Sequence, residues 1–73
     1  MTYRPPAIRE AIDLTEALYG AAARLEHAAF TFGKSDSGAN QASYYAAVTA
    51  AFMACTKLIE HLEQMARSER GAA

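Results

Sequence analysis

The sequence predicts an all-α fold, a two-helix antiparallel hairpin that dimerises into a four-helix bundle. Three observations lead there. Two long segments place apolar residues three and four positions apart, the spacing that keeps side chains on one helix face. One cluster of turn-forming residues separates them. Each segment also carries a second apolar line, one more than a hairpin needs to hold itself together.

The first helix is expected over about residues 6–32. Pro5-Pro6 suits a first turn, where the missing N–H has no intrahelical partner. From Ala7 a 3-4 series runs through Ala11, Leu14, Leu18, Ala21, Leu25, Ala28 and Phe32, with a second line through Ile8, Ile12, Tyr19, Ala22 and Ala29. Arg9, Asp13, Glu16, Arg24, His27 and Thr31 form a solvated side, interrupted by Gly20. Residues 33–40, GKSDSGAN, read as the loop: Gly33 can end a helix in the left-handed conformation, and Ser37 or Asn40 can cap the next. The second helix is expected over about 41–69. Its 3-4 series is Tyr44, Val48, Ala51, Cys55, Leu58, Leu62 and Met65, beside a seven-residue repeat of Tyr45, Phe52, Ile59 and Ala66. Lys57, Glu60, Glu63, Arg67 and Arg70 mark its outside, and Gly71-Ala72-Ala73 should fray.

A chain of 73 residues is a single domain, and a two-helix layer without disulfide or metal lacks the core to stand alone. The second lines are therefore expected to meet another chain, most simply a second copy about a two-fold axis. Ala47, Ala51, Phe52, Cys55, Ile59 and Leu62 are the expected dimer interface, with the alanines allowing close backbone approach. Alanine is about a quarter of the chain, far above an ordinary soluble background.

Charge and composition exclude several classes. Seven Lys+Arg against eight Asp+Glu give a net charge of −1, with no basic face to draw nucleic acid or anionic lipid. No apolar leader follows Met1-Thr2-Tyr3-Arg4, and a lone cysteine fits a reducing compartment, so a cytoplasmic location is expected. The uncharged stretch from Ser37 to Thr56 invites a membrane reading. A span needs about twenty predominantly apolar residues, whereas this window contains Gly38, Asn40, Gln41, Ser43, Thr49 and Thr56 and is otherwise mostly alanine. A soluble helix covered by protein on more than one side is expected instead.

No catalytic, metal or cofactor site is expected. Glu26-His27 and Glu60-His61 place neighbours about 100° apart, whereas helical chelates need ligands at i, i+3 or i, i+4; both histidines should be solvated. Cys55 lies on the apolar stripe with no base on its face, so it should pack rather than react. The loop lacks P-loop spacing and has no preceding strand. The aromatics say more. Tyr44 and Tyr45 diverge by about 100°, so one of them, its hydroxyl wet, should lie at a rim, and tyrosine beside alanine is typical of recognition surfaces. Ser43, Tyr44, Tyr45 and Tyr19 are the expected partner-binding residues.

The stretch Ser43-Tyr44-x-x-Ala47-Val48, opening an alanine-rich second helix after a polar loop, resembles the phage-encoded quorum-sensing anti-activator family. The resemblance covers most of the second helix and the pattern of the first. The present chain has no tryptophan and no charged residue just after Ser43-Tyr44. It implies a small helical-hairpin homodimer, not an enzyme, that binds and disables a host bacterial regulatory protein, with Ser43, Tyr44 and Ala47 near the functional end. Anti-CRISPR inhibitors share the same physical class, and a structural or regulatory subunit of a larger helical assembly is the alternative.

Overall fold

A computed structural model describes residues 6–72, with side chains placed for 6–70. It contains two helices, α1 (Pro6–Lys34) and α2 (Gly38–Ala72), packed as an antiparallel hairpin. Pro6 is the first helical residue, as its fixed φ favours. The expected contribution of Pro5 and the expected fraying at Ala73 lie outside the described residues.

The connection is shorter than the turn-forming composition suggested. Gly33 does not take the left-handed conformation; no described glycine has positive φ, and α1 continues through it to Lys34. The Ser35 N–H still donates to the Thr31 carbonyl at 3.1 Å, so the helical bonding pattern reaches into the loop. Lys34 completes the last turn, where a cation complements the helix dipole, and its Nζ lies 4.6 Å from the centre of the Phe30 ring. Among the described residues, only Ser35-Asp36-Ser37 remain outside the helices.

Ser37 is the N-cap of α2. Its Oγ accepts the Asn40 N–H at 3.2 Å, and its carbonyl accepts the Gln41 N–H at 2.9 Å. Asn40 is therefore inside α2 rather than capping it. Its side-chain amide reaches back to donate to the Ser35 carbonyl at 2.9 Å, tying the two helix ends together. At the far end α2 continues past position 69, through Gly71, to Ala72.

The seam between the helices follows a strict three-four repeat on both sides. On α1 it is Ala11, Leu14, Leu18, Ala21, Leu25, Ala28 and Phe32, all buried or half-buried, as the sequence pattern predicted except at Ala7, which is exposed. On α2 the register differs from the expectation. The half-buried positions are Tyr44, Ala47, Ala51, Ala54, Leu58, His61 and Met65, while Val48 and Leu62 are exposed and Cys55 sits half-buried at the border. Alanines at 47, 51 and 54 let the backbones approach closely, so this register wins over the bulkier one. Phe32 stacks on Tyr44 near the loop, ring centroids 5.4 Å apart.

The result is one layer thick. The molecule measures 54 × 28 × 12 Å, and its radius of gyration of 16.7 Å exceeds the roughly 11 Å of a compact chain of this length. Ala21 is the only fully buried residue among those described, at 3% exposure. A methyl group built at Gly20 or Gly33 would meet nothing within 4 Å. Both glycines are helical, so Gly20→Ala and Gly33→Ala should each stabilise the fold by about 0.5–1 kcal/mol. Denaturant titration at one fixed chain concentration measures this, and a loss of stability in either variant contradicts the uninterrupted helix described here.

Candidate functional site

The seam fixes where every other side chain goes. One residue further along a right-handed helix turns the side chain by about 100°. Because α1 and α2 run in opposite directions, that same step carries both helices' next residues to the same broad side of the hairpin. On α1 the shifted row is Ile8, Ile12, Thr15, Tyr19, Ala22, Glu26 and Ala29; on α2 it is Tyr45, Val48, Phe52, Cys55, Ile59, Leu62 and Ala66. Among the described residues, every exposed large hydrophobic side chain except Phe30 and Met53 belongs to these two rows. One side of the molecule is an uncovered apolar face.

The opposite side is built differently. Glu10, Lys57, Glu60 and Gln64 surround one shallow depression there, with Leu14 and His61 beneath. Ala21, Arg24, Ala28, Ser43, Ala46, Ala47 and Ala50 form a second, nearer the loop. That side is charged at the open end and floored by small residues toward the loop.

The centre of the apolar face can be located. Phe32 lies opposite Tyr44, and His61 opposite Ala7 and Glu10. Counting inward along the antiparallel pair brings Tyr19 level with the Phe52–Cys55 part of α2. Tyr19 and Phe52 are also the most exposed of these side chains, at 70% and 72%. The most exposed aromatic surface is thus concentrated midway along the hairpin. Full burial of a side chain of this size is worth roughly 1.5–3 kcal/mol.

Threonine hydroxyls do not interrupt this surface. Thr15 donates to the Ala11 carbonyl at 2.8 Å, and Thr49 and Thr56 donate to the Tyr45 and Phe52 carbonyls at 3.0 Å. Each hydroxyl is folded back onto its own helix, which leaves the methyl group available outward. The Tyr45 hydroxyl is likewise engaged, accepting a hydrogen bond from Gln41 Nε2 at 3.1 Å.

The residues expected to bind a partner do not converge. Tyr44 is in the seam against Phe32, Ser43 lines the alanine-floored depression on the opposite side, and Tyr45, 57% exposed, begins the α2 row of the apolar face. Tyr19 is at the middle of that face. Of the expected dimer residues, Phe52, Ile59 and Leu62 lie on the apolar face and Cys55 at its edge, whereas Ala47 and Ala51 face α1. Ile8, expected on the second line of α1, lies on the open face, whereas sequence reasoning missed Val48 as a member of it; its position one residue after the seam residue Ala47 was the available signal.

His61 corrects a second expectation. It is not solvated: its side chain is 12% exposed, and Nε2 donates to the Ala7 carbonyl at 2.7 Å, with Nδ1 3.6 Å from Glu10 Oε2. The ring joins the start of α1 to the last third of α2. His27 remains exposed, and among the described residues no three His, Cys, Asp or Glu side chains converge on a metal-sized space.

By length and composition, α2 from Gly38 to Arg70 is long and apolar enough to cross a membrane. Its side chains are nevertheless sorted by face, one toward α1, one open and apolar, one carrying Lys57, Glu60 and Gln64. Comparison with protein-family models, curated proteins and solved structures returns no match for the chain.

Removing the histidine ring should loosen the open end without unfolding the loop end. His61→Ala is expected to speed amide exchange in the Ala11–Leu14 turn of α1 by about fivefold, corresponding to one hydrogen bond of about 1 kcal/mol. Exchange near Phe32 should be unchanged. Equal acceleration at both ends would mean that His61 does not act as a local clasp.

Proposed function

We propose that this chain is a non-enzymatic protein-interaction module that works through the apolar face formed by Tyr19 and the Tyr45–Leu62 row. The observation that carries this reading is the sorting of exposed large side chains. An isolated exposed leucine or phenylalanine is ordinary on a soluble protein, but a continuous patch along two helices marks a surface meant to be covered. Helix faces of this type dock on other helices through residues spaced three and four apart. Aromatic residues at the centre and smaller aliphatics around them match the usual distribution of binding energy.

Inhibition of a bacterial regulatory protein would be one form of this function. Its support is the resemblance carried by Ser43, Tyr44 and Ala47. Tyr44 and Ala47 are engaged with α1, so in that form Tyr45 rather than Tyr44 would supply the aromatic contact.

Site-specific photocrosslinking in cells tests the module. A photoreactive phenylalanine analogue placed at Phe52 or Ile59 should give discrete covalent protein adducts. The same group at Arg24 or Lys57, on the opposite side, should give few or none. Equal labelling from both sides, or no adduct from the apolar side, would refute the proposed face.

A further inference from the structure

Resting on the apolar face as the interaction surface, we infer that its occupant is a second copy of this chain, placed by a two-fold axis so that α2 packs antiparallel on its counterpart. Three features point to this occupant.

The first is area. A folded monomer of 7.9 kDa exposes about 4,400 Å². This chain exposes 5712 Å², an excess on the order of 1,000 Å². A standard stable interface covers about 800 Å² on each partner. Covering one face of the hairpin with an identical face of that size removes more than half of this excess.

The second is layer matching. Antiparallel helices that pack by a three-four repeat place the two kinds of core position opposite one another. Centring the axis on the α2 row, between Phe52 and Cys55, pairs Tyr45 with Leu62 of the second copy, Val48 with Ile59, and Phe52 with Cys55. Each layer combines a larger side chain with a comparable or smaller one, and the bulky Phe52 meets the small thiol. On α1 the same axis brings Tyr19 beside its own counterpart, since Tyr19 lies level with the centre of the row.

The third is charge. No charged side chain occurs on α2 before Lys57, and the charges of its last third are Lys57, Glu60, Glu63, Arg67, Glu69 and Arg70. The antiparallel arrangement sets this charged third against the uncharged first third of the other copy. No like charges on α2 are opposed. A parallel pairing of the two α2 rows would instead lay Glu63 beside Glu63 at the edge of the face.

Sedimentation equilibrium of the full chain, with cysteine crosslinking for the register, tests the inference. The wild-type chain should sediment with twice its sequence mass at micromolar concentration, and Phe52→Ala should weaken the dimer by about thirtyfold or more. For the register, Cys55→Ala carries either Val48→Cys or Ile59→Cys, helicity is confirmed by circular dichroism, and a short bismaleimide is added. An equal mixture of the two variants should crosslink efficiently, while Val48→Cys alone should not. Crosslinking of Val48→Cys alone, without the mixed product, would establish a parallel pairing and overturn the arrangement. A wild-type mass of one chain at a hundred micromolar would overturn self-association. In that case photocrosslinked adducts to other proteins would leave the interaction module standing with a different partner. Monomeric mass together with co-sedimentation on phosphatidylcholine–phosphatidylglycerol vesicles would instead assign the face to a lipid surface.

Discussion

Two helices lying side by side can bury only one stripe of each, and everything else about this molecule follows from which stripe that is. The choice is made by alanine. At Ala21 on α1 and Ala47, Ala51 and Ala54 on α2 the side chains are small enough for the backbones to approach, and leucines and aromatics fill the wider gaps above and below. Once that register is set, helix handedness leaves no freedom. The residues that follow the seam positions fall on one side of the hairpin, and the residues that precede them fall on the other. The apolar face is therefore a geometric consequence of the seam rather than a separately built site.

The two helices differed in how readable they were. On α1, Leu14, Leu18, Leu25 and Phe32 all fall on one line and the rival line through Ile8, Ile12 and Tyr19 carries fewer large apolar side chains, so the spacing identified the buried stripe. On α2 the set 47, 54 and 61 and the set 48, 55 and 62 are both seven residues apart, and the second is the more hydrophobic. Hydrophobicity alone favours burying Val48 and Leu62. The hairpin buries the smaller set because closeness, not side-chain size, maximises contact between its helices, and because the His61 ring finds a carbonyl acceptor on α1. A polar ring in a seam position carries no mark in a sequence; its acceptor is fifty-four residues away. The loop was misjudged for a related reason. Glycine permits a helix to end but does not require it, and Gly33 stays helical because Ser37 and Asn40 supply the polar contacts that close the turn.

The polar groups near the open face are disposed to leave it dry. Side-chain hydroxyls that pointed outward would have to find partners across any interface or lose hydration there. Binding each threonine to the carbonyl one turn back removes that requirement in advance. The same economy applies to Tyr45, whose ring lies on the face while its hydroxyl is held by Gln41. What remains for an incoming surface is shape and apolar area, with few directional demands.

Under the self-association inferred above, a single layer of helices with one fully buried residue among those described would have an unusual relation to its own abundance. Proteases attack chains while they are open, and covering the apolar face with a second copy would lower the open fraction. At low copy number such a chain would spend much of its time accessible and be cleared; at high copy number, association would shelter it. Its lifetime would then rise with its concentration, so a burst of synthesis would yield a disproportionately large pool and a pause in synthesis would empty it quickly. The thinness of the fold would thereby act as a timer on how long the protein persists.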